Sequence, residues 1–405
     1  MTYTEPDDAV AGPLAGIRVI DLTRARAGPT CVRQLTDLGA EAVALQSPLG
    51  GGSFSSLGAD GANLHRNKRS IVVDLTTDGG RAVFFRLVER ADVVVENFRP
   101  GVKYRLGIEP DAVWAVNRGV VYASISGFGQ SGPYADRPGV DQIAQGLGGL
   151  MSVTGPPGSG PWRVGIAVSD TAAGTLLTQG VLAALIARDR TGRGQWVHTS
   201  LLEAMVSFMD FQAARWLIDG EVPGQEGNQH PTMVPMGAYP TADGYLNVAA
   251  LRDFGAFCAL LGEPALADDP RYADLASRLA HRAELDADIA RLLRTRTTTE
   301  WVERLAELVP CGPVLAIDEV FADHQVEHLH LTRRVEHPTR GGIDVLRPPL
   351  TFSDTPARIR SGPPADGAHT REVLAELGYE AAEIDELHAS GAVGSRAPRP
   401  QESEG

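Results

Sequence analysis

Cysteine is scarce in this chain, and its spacing carries no chemistry. Cys31, Cys258 and Cys311 are scattered and odd in number. They form neither a metal-ligand pattern nor a disulfide framework, so no metal is expected. Basic runs are missing as well. Lys and Arg number 37 against 51 Asp and Glu, a formal net charge of −14. That balance argues against a nucleic-acid partner. It also means that any anion site must be locally basic, because an acidic surface repels anions at long range. No uninterrupted apolar run has the length of a membrane span, and no membrane partner is expected. Residues 1–12 are acidic without an apolar core and do not read as a signal peptide. A soluble cytoplasmic protein is the default expectation. No internal repeat is visible.

What is there is an ordinary globular balance. The chain has 405 residues, 43% of them hydrophobic and 22% charged, enough for two or three domains. Residues 17–22 read as a strand. A turn with Pro29 suited to the first helical position follows, then a helix to about Leu38 that stops at Gly39. Residues 41–45 are the next strand. This strand–turn–helix–strand unit is Rossmann-like, yet it lacks the G-x-G-x-x-G fingerprint and offers no support for a bound dinucleotide. Gly50-Gly51-Gly52-Ser53 is a loop. Further strands are expected at 71–75, 92–96 and 120–125, with an amphipathic helix at 78–90. The alternation predicts an α/β fold with a mostly parallel sheet covered by helices. Ligands gather at the carboxyl ends of such strands, where residues 97–101 lie.

Beyond that point, residues 141–149 look helical and 154–161 form a Gly/Pro loop. Residues 188–194 read as a polar turn, 195–199 as a strand and 201–217 as a helix. An extended linker near 220–235 precedes a hairpin at 237–250 that turns at Ala242-Asp-Gly244. Residues 254–308 are mostly helical. A strand at 311–316, a helix from Asp318, a strand pair at 332–351 and one last helix at 370–377 complete the pattern. The ends, 1–13 and 394–405, read as loose polar tails.

One stretch carries candidate chemistry. Residues 164–168 form an apolar run that leads into Ser169 and Asp170, then into an apolar helix. Ser169 or Asp170 reads as the N-cap of that helix. A carboxylate there meets the positive end of the helix dipole, which favours its ionised form and would hold a nucleophilic Asp ready at neutral pH. The same spacing also suits an Asp that only caps a helix.

Several blocks together resemble the class III CoA-transferases, a family that includes formyl-CoA transferase, carnitine CoA-transferase and the α-methylacyl-CoA racemases. They include Pro13-Leu-Ala-Gly-Ile-Arg-Val-Ile-Asp-Leu22, Asn67-Lys-Arg-Ser70, Ala91-Asp-Val-Val-Val-Glu-Asn-Phe-Arg-Pro-Gly101, Ser126-Gly-Phe-Gly-Gln-Ser-Gly-Pro133, Arg137-Pro-Gly-Val-Asp-Gln-Ile-Ala-Gln145 and Thr241-Ala-Asp-Gly-Tyr245. The resemblance implies a large Rossmann-like domain built from both chain ends, a smaller inserted α+β domain, and an interlocked homodimer. It suggests boundaries at 13–220 for the first part of the large domain, 221–237 for a linker, 238–330 for the small domain and 331–393 for the return and completion.

The resemblance implies CoA transfer between an acyl-CoA and a small carboxylic acid, with Asp170 as nucleophile. It implies coenzyme A contacts at Arg26 and Ala27, at Val73, Asp74, Leu75 and Thr76, at Asn97, Phe98 and Arg99, at Arg105, and at Ser126, Gly127 and Phe128. Loops bearing Gly127 or Gly237 are candidate oxyanion holes, or simply turns. The racemase branch, the alternative activity, places a His before the residue matching Asp141. Val140 stands there and cannot carry a proton. Some basic contacts usual in the family are missing at Ser47, Thr76 and Ser126, which leaves open a repurposed acyl-CoA-binding scaffold. Arg26 replaces a Gln found in formyl-CoA transferase. It either pairs with the second carboxylate of a dicarboxylic acid or folds back onto Asp21.

Overall fold

The computed structural model describes residues 10–48 and 58–394. The loop expected at 50–53, residues 1–9 and the tail from 395 lie outside them. The chain divides into two compact units, one of residues 1–150, 163–218 and 328–405, the other of residues 151–162 and 219–327.

The first unit is built on six parallel strands: β1 (Arg18–Asp21), β2 (Glu41–Gln46), β3 (Lys68–Val72), β4 (Val93–Glu96), β5 (Val121–Ser126) and β6 (Trp196–Ser200). Their spatial order is β3-β2-β1-β4-β5-β6, every pair parallel. This is the Rossmann order, in which crossovers leave β1 and β4 in opposite directions. The central strands are nearly all apolar and fully buried, as a sheet covered on both faces requires.

Helices follow the strands: α1 (Ala27–Asp37), α2 (Ala59–His65), α3 (Asp78–Val88), α4 (Pro100–Leu106), α5 (Pro110–Val116), α6 (Asp141–Leu147), then, past the single turn α7 (Leu150–Val153) that opens the second unit's segment 151–162, α8 (Val168–Thr191), α9 (Leu201–Phe208) and α10 (Asp210–Asp219). Pro29 is the third residue of α1, not the first. Its missing N–H still falls among the donors that a first turn leaves unpaired. α8 lies against α1, where a Cβ on Gly174 would sit 2.5 Å from the Ala27 carbonyl oxygen, so only glycine permits this approach. By length and apolar composition α8 could cross a membrane. Instead, Leu177, Val181, Ala184 and Leu185 lie in the core of this unit.

The second unit holds an antiparallel sheet of β7 (Met236–Pro240), β8 (Tyr245–Ala249) and β9 (Cys311–Pro313). Helices α11 (Phe254–Leu261), α12 (Leu275–Ala280), α13 (Arg282–Leu293) and α14 (Thr298–Leu305) pack around Phe257, Tyr272, Leu285 and Trp301. Short turns α15 (Ile317–Val320) and α16 (His324–His328) follow. The chain then re-enters the first unit through the hairpin of β10 (Thr332–His337) and β11 (Gly341–Leu346). Finally α17 (Thr370–Glu376) and α18 (Ala381–Ala389) supply Val373, Leu374 and Ile384 to the core on one face of the large sheet.

Three expectations need correction. The strand expected at 71–75 runs from Lys68 to Val72, because Lys68 is buried against Asp21 and extends the ladder backwards. The apolar run at 164–168 is irregular until α8 begins at Val168. The polar turn expected from 188 is the last turn of α8, which ends at Thr191 before the left-handed Gly192. Residues 201–217 break into α9 and α10 near Asp210, where φ is +42. A second C-terminal helix, α18, was not expected at all.

Candidate active site

β1 and β4 flank the topological switch point, where open α/β sheets form a crevice beyond the strand ends. A cavity of about 560 Å³ opens there, within the size range of ligand pockets. Its wall is assembled from several loops. Ala25, Arg26 and Ala27 come from the turn after β1, residues 97–100 from the end of β4, and Ser126 and Gly127 from the end of β5. Arg137, Val140, Asp141, Arg163 and Asp170 complete it.

The turn after β1 is fixed from below. Asp21 Oδ1 accepts hydrogen bonds from both the N–H and the hydroxyl of Thr23. Asp21 Oδ2 takes the Lys68 ammonium at 2.8 Å, and both side chains are fully buried. Burial opposes the Asp21 charge, but Lys68 and the hydrogen bonds hold its carboxyl below the ordinary range. The turn then passes through Ala25 at φ +58. Asn97 clamps it from the side, with its amide donating to the Arg24 carbonyl at 2.7 Å and accepting from the Arg24 N–H at 2.9 Å. Arg26 therefore enters the cavity from a rigid base. The sequence had allowed Arg26 to fold back onto Asp21. That pairing is absent, because Lys68 already occupies Asp21. The Arg26 guanidinium instead meets Asp60 on α2 at 2.6 Å.

Asp170 is the third residue of α8, whose N-cap is Ala167, so neither Ser169 nor Asp170 caps the helix. One first-turn donor is met from α6. Ser169 donates its N–H and its hydroxyl to Asp141 Oδ1, each at 2.9 Å. Gln145 donates to Asp141 Oδ2 at 2.7 Å and accepts from the Val164 N–H at 3.0 Å, which holds the irregular segment that enters α8. Arg163 lies 3.5 Å from the same Asp141 oxygen. Asp141 is thus a cap supplied by another helix.

This arrangement reverses the electrostatic expectation for Asp170. Burial raises its pKa to about 6, the Asp141 charge pushes the same way, and Asp60 adds to it. Arg26 opposes the shift. The helix dipole does not dominate here. Asp170 is ionised at neutral pH, yet is more basic than an ordinary carboxylate.

Of the residues singled out in the sequence, Arg26, Ala27, Asn97, Phe98, Arg99, Ser126, Gly127 and Asp170 line this one cavity. The others stand apart from its wall. Val73 forms a bridge with Val393, and Asp74 accepts from the N–H and hydroxyl of Thr76, closing the turn into α3 that also includes Leu75. Arg105 is exposed on α4. Phe128 packs edge-on against Tyr134. Gly127 touches Gly139, whose Cα would lie 2.7 Å from an added Cβ, so two loops of the wall meet backbone to backbone. Gly237 belongs to the second unit, where an added Cβ would collide with Gln229.

Arg137, Arg163 and Asp60 had not been singled out. Arg137 opens one of the family-like blocks but was given no role there, Arg163 sits in an irregular segment, and Asp60 follows the glycine-rich stretch. Arg137 stacks on Tyr134, 3.8 Å from the ring centre. Below the wall, Glu96 and Lys103 form a buried pair at 3.4 Å, and Lys103 reaches Gln130 at 2.7 Å. That link ties the loop after β4 to the loop after β5.

The family model described as CoA-transferase family III matches residues 14–370. The succinate–glutarate CoA-transferase of Agrobacterium fabrum is 39% identical over 387 residues, 90% of this chain and 96% of that protein. The succinyl-CoA:glutarate CoA-transferase of Mus musculus is 34% identical, with 94% of this chain and 90% of that protein covered. The crystal structure of a CAIB/BAIF family protein from Brucella suis superposes with a TM-score of 0.81 at 35% identity, covering 91% of this chain and all of that one.

Proposed function

The chain belongs to CoA-transferase family III, and from that premise we propose that it moves CoA between two dicarboxylic acids through a covalent intermediate on Asp170. CoA-transferase activity follows from the family and from its relatives. The acid class, the nucleophile and the CoA contacts are the finer reading. The observation that carries it is Asp170 in the wall of a cavity that four arginines, Arg26, Arg99, Arg137 and Arg163, also line. Several relatives are named for succinate, glutarate or mesaconate, all of which carry two carboxylates.

In this reading the Asp170 carboxylate attacks the thioester carbonyl of the donor. The C–S bond breaks, CoA thiolate leaves and a mixed anhydride forms. The thiolate then attacks the aspartyl carbonyl, releasing the donor acid and leaving an aspartyl-CoA thioester. The acceptor carboxylate attacks that carbonyl, giving a second anhydride and free thiolate. Attack of the thiolate on the acceptor carbonyl yields the new acyl-CoA and restores Asp170. Donor thioester and acceptor carboxylate become donor carboxylate and acceptor thioester, with no water consumed. The cavity suits the acyl end of CoA, and the exposed guanidinium of Arg99 suits its phosphates. Val140, 61% exposed beside Asp141, supplies no second base, which favours transfer over racemisation. A homodimer is part of this reading. α10 buries none of its residues and exposes Phe211, Trp216, Leu217 and Ile218, apolar surface suited to a second copy.

The test is a transfer assay with succinyl-CoA as donor and glutarate as acceptor. Wild-type protein should form glutaryl-CoA, and Asp170→Ala should lower the rate by roughly 10³-fold or more. A variant that keeps full activity would refute the nucleophile, and wild-type transfer to monocarboxylic acids only would refute the acid class.

A further inference from the structure

We propose that Asp60 sets acid selectivity: its carboxylate occupies, on the Arg26 guanidinium, the place that the second carboxylate of the substrate takes. The inference rests on the dicarboxylic-acid reading above and adds a residue to it. Arg26 is the cavity arginine whose charge acts on Asp170. A diacid whose reacting carboxylate lies at Asp170 therefore has a cation within range of its far end. In the structure that cation is already paired. Arg26 Nη2 and Asp60 Oδ1 are 2.6 Å apart, with side chains 31% and 32% exposed.

The degree of exposure matters. A pair sealed from water resists exchange, because removing one partner strands a buried charge. A pair one-third exposed is weakly held and open to competition. The two ends of the pair also differ in how firmly they are rooted. Arg26 rises from the turn that Thr23, Asp21 and Asn97 fix. Asp60 is in the first turn of the seven-residue α2. The guanidinium stays and the carboxylate yields.

A displaced Asp60 has a second cation nearby. Arg33 lies on α1, seven residues after Arg26, and the Arg26 charge acts on it. It is largely buried, its Nε has no hydrogen-bond partner among the described residues, and the Asp60 charge already acts on it. Exchange therefore need not leave Asp60 without a counter-charge. A monocarboxylic acid has no group to displace Asp60 and leaves the Arg26 pair intact. A dicarboxylic acid takes Arg26 in competition with Asp60, so Asp60 lowers apparent affinity for the very acids that Arg26 selects.

Steady-state transfer from succinyl-CoA should be compared for glutarate and for a monocarboxylic acid of equal chain length, in wild type, Asp60→Asn, Asp60→Ser, Arg26→Gln and the Asp60→Asn/Arg26→Gln double variant. Removing Asp60 should lower the KM for glutarate roughly five- to tenfold relative to that for the monocarboxylate. The gain should vanish in the Arg26→Gln background, because the competition needs both residues. Loss of the Asp60 charge also acts on Asp170, but that change affects both acids alike and cancels in the ratio. An unchanged ratio, a higher glutarate KM, or a gain that survives in Arg26→Gln would each overturn the proposal. Absence of transfer by wild type to either acid would instead count against the transferase reading itself.

Discussion

Asp170 is a carboxylate placed where its own charge is opposed. Burial, Asp141 and Asp60 all resist ionisation, Arg26 favours it, and the pKa settles at about 6. A more basic carboxylate is a better nucleophile, provided that the working pH keeps it ionised. The arrangement has a cost in stability whose sign is fixed by linkage. The folded pKa lies above the ordinary value of 3.8, so between about pH 4 and 6 the folded chain holds a proton that the unfolded chain has lost. Stability from this group therefore falls as pH rises through that window, and the deficit is complete above it. Asp170→Asn should consequently stabilise the protein by about 1–3 kcal/mol at pH 8, and the gain should shrink towards zero near pH 4. Urea unfolding at the two pH values checks this. A gain of equal size at both, or a loss at pH 8, would show that the carboxylate is not strained. Asp170 was legible in the sequence, but its environment was not. The residues that set its pKa come from α2, α6 and the turn after β1, which local pattern does not connect.

At the scale of elements, the turn after β1 depends on a pair that spans the sheet. Lys68 opens β3 and Asp21 closes β1, with β2 between them, and their side chains pair out of water. Lys68→Ala leaves the Asp21 charge buried and unpaired, and should destabilise the large unit by about 3–5 kcal/mol. Lys68→Met combined with Asp21→Asn should recover much of that loss, since no charge is then stranded. Denaturation midpoints for the three proteins test this, and equal losses in the single and double variants would contradict it. The same pair explains one miss. Lys68-Arg69-Ser70 looks too polar for a buried strand, so only the apolar run after it was read as β. Runs such as Val93-Val94-Val95 were legible because β-branched residues in an unbroken series suit a covered sheet. The apolar run at 164–168, by contrast, builds no strand. There the chain is held by side chains of α6, not by a ladder. α8 is apolar around much of its surface, so periodicity could not mark its ends.

At the scale of the whole molecule, the order β3-β2-β1-β4-β5-β6 creates a crevice at the switch point although the chain lacks the dinucleotide fingerprint. The alternation of strands and helices made the Rossmann-like class legible. The collinear blocks made the family legible. Neither revealed that the contacts expected at Val73–Thr76 and Arg105 stand outside the cavity wall, because spacing along the chain does not say which loops share a crevice. The division into two units was harder to read. Residues 151–162 fold with the second unit although they lie inside the first in sequence.

The central claim is that Asp170 carries the acyl and CoA groups in turn. The most direct test incubates the protein with succinyl-CoA and no acceptor, quenches with hydroxylamine, and maps the peptides by mass spectrometry. A hydroxamate on Asp170, formed from the trapped aspartyl thioester or anhydride, is the expected result, with none in Asp170→Asn. A modification at another residue, or an unmodified Asp170 in protein that turns over under the same conditions, would contradict it.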